Sequence, residues 1–143
     1  MQEMERNSQT SVAIQGIRGA FHEEAARAYF KKDITVVPCM RFDELLSSVE
    51  AGHSDYGVIA VENTIAGSLN QNLVLIHKSD VHIVGEVSLR IRQTLGALPG
   101  QQLSDIKEVM SHHMALHQSR AFLSTLGDVR LVEIEDTALG AKR

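Results

Sequence analysis

Ser111, His112 and His113, with His117 four residues beyond His113, form the one histidine cluster in the chain. On a helix, His113 and His117 share a face and present two imidazoles to a metal ion. No third ligand stands near them in sequence, so hydrogen-bonded or solvent-facing histidines are the simpler reading. Ser111, His112 and Asp136 have the side-chain types of a nucleophile, a base and an orienter. Nothing puts Ser111 on the strained elbow that exposes such a nucleophile, which argues against a hydrolytic triad. Asp136-Thr137 is more simply a helix cap. Cys39 is the only cysteine. It lies beside Pro38 at a strand end, without a basic pair to make it a thiolate, and reads as a packed thiol. Arg90 and Arg92 are suited to meeting a carboxylate, but a solvated strand face accounts for them as well.

A different chemistry is written into Tyr56 to Leu69. Val58 to Val61 is a short apolar run of the kind carried by a strand covered on both faces. Glu62 and Asn63 follow at what would be its carboxyl end. Thr64, Gly67 and Ser68 then offer hydroxyls and bare amides where a helix is expected to begin. Ligands of open α/β sheets collect at the carboxyl ends of strands, and helix N-termini attract anions. The segment therefore predicts a site for a small anionic molecule. The competing reading is an ordinary β-to-α turn with Asn63 or Thr64 as N-cap. Gly16 and Gly19, behind the strand Val12-Ala13-Ile14, suggest a close approach of backbone to ligand. They match a dinucleotide fingerprint poorly, and turn geometry explains them more economically.

The elements that must position these groups alternate. Strands are predicted at Val12 to Ile14, at Ile34 to Val37 (closed by Pro38) and at Val58 to Val61. Helices are predicted at His22 to Phe30, at Phe42 to Val49 with Gly52 as C′ residue, and behind Ser68 with Leu69, Leu73 and Ile76 on one stripe. Glu23 and Glu24 suit the first turn of their helix. This β-α-β-α-β-α order argues a parallel sheet. The pattern changes near residue 80. Val87, Leu89, Ile91 and Leu95 alternate with polar residues as in a half-exposed strand. A helical turn at Leu103 to Ile106 follows, then a strand at Glu108 to Met110. A helix is expected at Ala115 to Leu126, with Ala115, Phe122 and Leu126 on one side, and a strand at Val129 to Ile134. Asp136 caps a last helix. The expected organisation is a frayed segment 1–10, a first lobe 11–80 and a second lobe 81–143, with a hinge between the lobes.

Composition excludes several functions. A net charge of -4 provides no basic field for nucleic acid, and 4% aromatics with no Trp provide no stacking platform. The apolar runs are far too short to span a membrane. Met1 to Thr10 is polar and lacks the core of a secretory signal, and a lone cysteine permits no intrachain disulfide, so a cytoplasmic location is expected.

Four segments then resemble the prephenate dehydratase family. Gln15-Gly16-Ile17-Arg18-Gly19-Ala20-Phe21 is similar to its Gly-Pro-x-Gly-Thr-Phe-Ser segment. Glu62-Asn63-Thr64-Ile65-Ala66-Gly67-Ser68 resembles its Glu-Asn-Ser-x-x-Gly-Ser/Thr motif. Ser111-His112-His113-Met114-Ala115-Leu116-His117-Gln118-Ser119 resembles Ser-His-Pro-x-Ala-Leu-x-Gln-Cys, and Asp136-Thr137-Ala138 matches Asp-Thr-Ala. The resemblance runs in order over residues 12–142. It implies an α/β, two-lobed fold like a type II periplasmic binding protein, with the second lobe incomplete in this chain. It implies conversion of prephenate to phenylpyruvate, water and carbon dioxide, without metal or organic cofactor, in a homo-oligomer (a dimer or tetramer).

Carried over by motif, the catalytic residues are Glu62, Asn63, Ser111 and Gln118. The substrate contacts are Gly19, Ala20, Phe21, Asn63, Thr64, Gly67, Ser68, Ser111, His112, Thr137 and Ala138, with turn amides near Gly19-Ala20 and Gly67-Ser68 holding carboxylates. The departures are Ala20 for threonine, Thr64 for serine, His113 for proline, Ser119 for cysteine and Gln93 for a frequent histidine. The family's Thr-Arg-Phe motif, with its catalytic threonine, does not occur in the 143 residues. This predicts an inactive fragment. A non-catalytic module for small anions or aromatic amino acids, and an interaction fragment without ligand, are the alternatives.

Overall fold

The computed structural model describes residues 9–31, 33–65 and 67–142. The expected frayed segment 1–10 lies outside these except for Gln9 and Thr10, and Thr10 already opens the first strand. Contacts divide the chain into two compact units, Met1–Leu89 and Arg90–Arg143.

The first unit begins with β1 (Thr10–Gln15), α1 (Phe21–Phe30), β2 (Ile34–Cys39), α2 (Phe42–Glu50) and β3 (Tyr56–Val58). The three strands form a parallel sheet in the order β2-β1-β3, as the alternation predicted. β1 is central and alternates its side chains between two cores. Val12 and Ile14 pack with Ala26, Ile34 and Val36 under α1. Ala13 packs with Cys39, Leu45 and Leu46 under α2. α2 ends as a Schellman motif: Gly52 N–H donates to the Val49 carbonyl (3.0 Å) and His53 N–H to that of Ser48 (2.9 Å). Gly52 has φ +71°, which favours glycine at this C′ position. Pro38 does not close β2. It pairs in register with Ile14 inside the strand, which is possible because β2 lies at the sheet edge.

The opening stretch departs further from expectation. β3 covers Tyr56–Val58 rather than 58–61, and Tyr56 and Gly57 are exposed. The Ala60 carbonyl accepts from Asn72 Nδ2 (2.8 Å) and that of Val61 from Leu69 N–H (2.8 Å). These bonds replace ladder bonds and turn the chain out of the sheet. A small antiparallel hairpin follows, β4 (Glu62–Asn63) and β5 (Gly67–Ser68), and only then α3 (Asn70–Lys78). Neither Asn63 nor Thr64 caps that helix; its N-cap is Leu69. Its inward stripe is Leu69, Asn72, Leu75 and Ile76, while Leu73 faces solvent.

Residues 79–98 contain no strand, so the period-two run 87–95 has no ladder partner among the described residues. Val81 packs on the Ala13 core, and the Tyr29 hydroxyl donates to the Val84 carbonyl (3.2 Å). These contacts keep 81–89 with the first unit, past the pattern change near residue 80.

The second unit has a 3-10 turn at Leu103–Asp105, then β6 (Glu108–Ser111), α4 (His113–Gln118), α5 (Arg120–Leu123), β7 (Arg130–Glu133) and α6 (Thr137–Lys142). β6 and β7 are parallel. The single helix expected over 115–126 breaks at Ser119 into α4, α5 and a 3-10 turn. Ala115, Leu116 and Leu123 are buried, and Phe122 is not.

Candidate functional site

Two of the four motif segments lie in the first unit, at one end of its sheet. The Gly16–Phe21 segment follows β1, and the Glu62–Ser68 hairpin follows β3 after a short connection. β1 and β3 are adjacent and parallel, so both segments leave from their carboxyl ends.

The first turn is held by the chain's own groups. Gly16 N–H donates to the Cys39 carbonyl (2.8 Å) and Ala20 N–H to that of Ile17 (3.1 Å). Gly19 has φ +92°, a backbone that favours glycine. Its N–H donates to the Glu23 carboxylate (2.8 Å), which also accepts from Arg27 Nε (2.9 Å) and Nη2 (2.7 Å). The Gly19 amide, and secondly Arg27, hold the Glu23 carboxyl below the usual range. The two amides expected to hold a substrate carboxylate are therefore occupied, one of them by a carboxylate from α1. Ala20 is buried, caps α1 without a side-chain hydrogen bond, and offers no hydroxyl. Phe21 is half-buried.

In the hairpin, Asn63 is half-buried and its Oδ1 accepts from Ile65 N–H (2.9 Å), an Asx turn that sets the tip. Glu62, Thr64, Gly67 and Ser68 are exposed. Glu62 and Thr64 stand away from the helix, whereas Gly67 and Ser68 form the second hairpin strand directly before Leu69, the N-cap of α3.

Two features of this unit escaped the sequence patterns. Asn72 is a buried polar residue on α3, tying that helix to Ala60. A groove of about 330 Å³ lies at the carboxyl ends of β1 and β2, lined by the amides of Gln15, Gln71 and Asn72 and by Phe42 and Leu75. None of the motif-derived contacts lines it. Arg41 at its rim is bidentate to Asp43 (2.9 and 2.6 Å), which leaves little net charge for an anion. Cys39 is buried, and burial pushes its thiol up, as a packed thiol requires.

The second unit gathers Ser111, His112, Thr137 and Ala138 behind the parallel pair β6 and β7. Ser111 is the last residue of β6 and pairs with Glu133; its carbonyl accepts from Ile134 N–H (3.0 Å). His112 is the N-cap of α4, and its Nδ1 accepts from Met114 N–H (3.3 Å). The His113 ring lies 4.2 Å from that of His112, centroid to centroid. Burial, then His113, holds the His112 imidazole below its ordinary value, against the opposing pull of Asp136 and Glu133. Asp136 is buried and caps α6, its Oδ1 accepting from Leu139 N–H (2.9 Å). Thr137 and Ala138 form the half-buried first turn. Gln118 ends α4, and its Oε1 accepts from Gln93 Nε2 (3.2 Å). Gln93 thus supports a predicted catalytic residue from 25 positions away, a link no local pattern contains. His113 and His117 are both exposed on α4.

The chain is similar to several known proteins. The family model for prephenate dehydratase matches residues 12–143. Arogenate dehydratase/prephenate dehydratase 2, a chloroplastic protein of Arabidopsis thaliana, is 40% identical over 136 residues, covering 95% of this chain and 35% of the relative. The chain spans about a third of the length of the curated relatives it matches. A crystal structure of prephenate dehydratase in complex with L-Phe, from Arthrobacter aurescens, superposes with a TM-score of 0.73 at 28% identity, covering 93% of this chain and 45% of that one. A structure described as GqqA, a novel type of quorum quenching acylase, gives a TM-score of 0.76 at 30% identity, covering 90% of this chain and 46% of that one.

Proposed function

The chain belongs to the prephenate dehydratase family, and on that premise we propose that it orients prephenate for conversion to phenylpyruvate, water and carbon dioxide in phenylalanine biosynthesis. In that reaction the bond from the ring to its carboxylate breaks. The electron pair enters the ring, and the ring hydroxyl leaves as water after gaining a proton. Aromatisation supplies the driving force, so the protein must chiefly orient the substrate and donate hydrogen bonds. Asn63 in the first unit and Ser111 and Gln118 in the second supply the neutral donors, and Glu62 orients its neighbour Asn63 or contacts the substrate itself. Gly19 to Phe21, Thr64, Gly67, Ser68, His112, Thr137 and Ala138 complete the contacts.

The observation that supports this reading most is topological. The motif segments leave the carboxyl ends of parallel strands in both units, where open α/β sheets bind small molecules. The Glu23–Gly19 bond modifies the reading: a substrate carboxylate competes with Glu23 for that amide.

The 143 residues contain no Thr-Arg-Phe, so we propose that they bind without turning over. Calorimetry with prephenate, with arogenate (its amino-acid counterpart) and with phenylalanine tests the first half; assay of phenylpyruvate tests the second. The expected outcome is heat of binding with prephenate and no phenylpyruvate. Product formation defeats the second half, and silence with all three ligands defeats the first. Tighter binding of phenylalanine than of prephenate moves the chain to the alternative, an aromatic amino-acid binding module. An acylase triad of Ser111, His112 and Asp136 finds no support. Such a triad needs an Nδ1–H donated to the carboxylate, whereas Nδ1 of His112 accepts from Met114.

A further inference from the structure

α4 is six residues long, too short to be stable through its own ladder. Its start depends on one residue. The His112 carbonyl accepts from the amides of Ala115 (2.9 Å) and Leu116 (3.2 Å), and its Nδ1 accepts from that of Met114 (3.3 Å). Three consecutive amides of the first turn thus end on His112. The usual residues for this position are Ser, Thr, Asp and Asn, whose oxygens accept at every working pH. An imidazole accepts only while Nδ1 is unprotonated.

We propose that His112 is a positioning residue: its Nδ1 acceptor sets the start of α4, and so the placement of Gln118 relative to Ser111, and a proton on Nδ1 releases that setting. Ser111 precedes His112 at the end of β6, and Gln118 closes the helix that His112 opens. A proton on Nδ1 replaces the acceptor with a donor facing the Met114 N–H, so the cap bond is lost. The ionisable groups acting on the ring are His113 on α4, Glu133 at the end of β7 and Asp136 at the cap of α6. The two carboxylates draw a proton towards the ring, and burial and His113 oppose them, with the opposition prevailing. The cap is therefore intact near neutrality and is lost on acidification below the ordinary imidazole value of about 6.5. The consequence for catalysis rests on Ser111 and Gln118 being substrate contacts; the cap itself does not.

The test is an NMR pH titration of the isotopically labelled 143-residue chain. Above the titration midpoint, His112 is expected as the Nε2–H tautomer. The Met114 amide and the Gln118 side-chain amide shift with the His112 midpoint, and exchange of the Ala115 and Leu116 amides accelerates below it. His112→Asn keeps an acceptor, so protection of α4 is retained and the pH step disappears. His112→Ala loses protection about fivefold at every pH, the equivalent of one cap of about 1 kcal/mol. An Nδ1–H tautomer, a Met114 or Gln118 amide indifferent to the His112 midpoint, or His112→Asn behaving like His112→Ala overturns the proposal. If the cap titrates as stated and prephenate binds at no pH, the dehydratase reading fails and the cap stands.

Discussion

Glu23 offers the sharpest test of how the first motif is held. Its carboxylate takes the Gly19 amide at 2.8 Å and both Arg27 donors, and its side chain is 14% exposed while that of Arg27 is 48% exposed. A hydrogen bond to a charged group contributes about 1.5–3 kcal/mol. The i,i+4 pair with a half-exposed arginine adds only about 0.3–0.5 kcal/mol. Water recovers part of the amide's loss, so Glu23→Ala costs about 2 kcal/mol. Glu23→Gln keeps a neutral acceptor and costs about 1 kcal/mol. At about 4–8 °C per kcal/mol for a unit of this size, the alanine variant melts roughly 8–16 °C lower.

The pH dependence follows from the sign of the shift. The folded-state pKa is depressed, so the stabilisation is present above the ordinary glutamate value and is lost as pH falls through the folded value. Urea melts of wild type, Glu23→Ala and Glu23→Gln near pH 7 and near pH 3 provide the assay. The gap between wild type and Glu23→Ala narrows in acid. A gap below about 0.5 kcal/mol at neutral pH, or one of equal size at both pH values, refutes the reasoning.

Three other outcomes are expected. A Cβ on Gly57 would lie 2.6 Å from Leu45 Cδ2 and 3.2 Å from Val49 Cγ2, so Gly57→Ala overpacks β3 against α2 by about 1–3 kcal/mol. Leu45→Ala alone costs about 3 kcal/mol. Urea melts of the double variant should show less than the sum, because the alanine at 57 fills space that Leu45 vacates. Asn63→Ala weakens prephenate binding about tenfold in calorimetry, the loss of one hydrogen bond to a charged ligand; unchanged affinity removes Asn63 from the site. Ile65, Val74, Ile83, Val84 and Leu98 are exposed. Light scattering is therefore expected to find a homo-oligomer, and a monomer at high concentration counts against it.

Where local periodicity decided the outcome, the sequence was readable. Val12 to Ile14 and Ile34 to Val37 are short apolar runs between turn residues, and Phe42 to Val49 has the helical spacing; all three form as expected. Val58 to Val61 carries the same strand signal, yet distant groups outcompete it, since Asn72 and Leu69 take the carbonyls of Ala60 and Val61. Asn72 is buried on the inward side of α3, but as a polar residue it does not register on an apolar stripe. The alternation of 87–95 lacks a neighbour to pair with among the described residues. At the motifs, residue types were legible and their bonding was not. Glu23 read as a dipole partner, but it closes the turn before its own helix. Glu44 does the same for α2, accepting from Met40 N–H (3.0 Å). That recurrence, a glutamate four residues behind a strand-exit amide, is the signal that a pattern search could have used.

The proline at position 38 has a consequence for how copies of the chain meet. The sheet has two rims, and β2 carries on its outer one a residue without an amide hydrogen. Strand addition there loses a rung, whereas β3, paired only with β1 among the described residues, has its outward donors and acceptors intact. Strand addition between copies, where it occurs, is thereby confined to the β3 side. Two molecules joined rim to rim through β3 use up each other's growing edge, which favours a closed twofold pair over an open-ended filament.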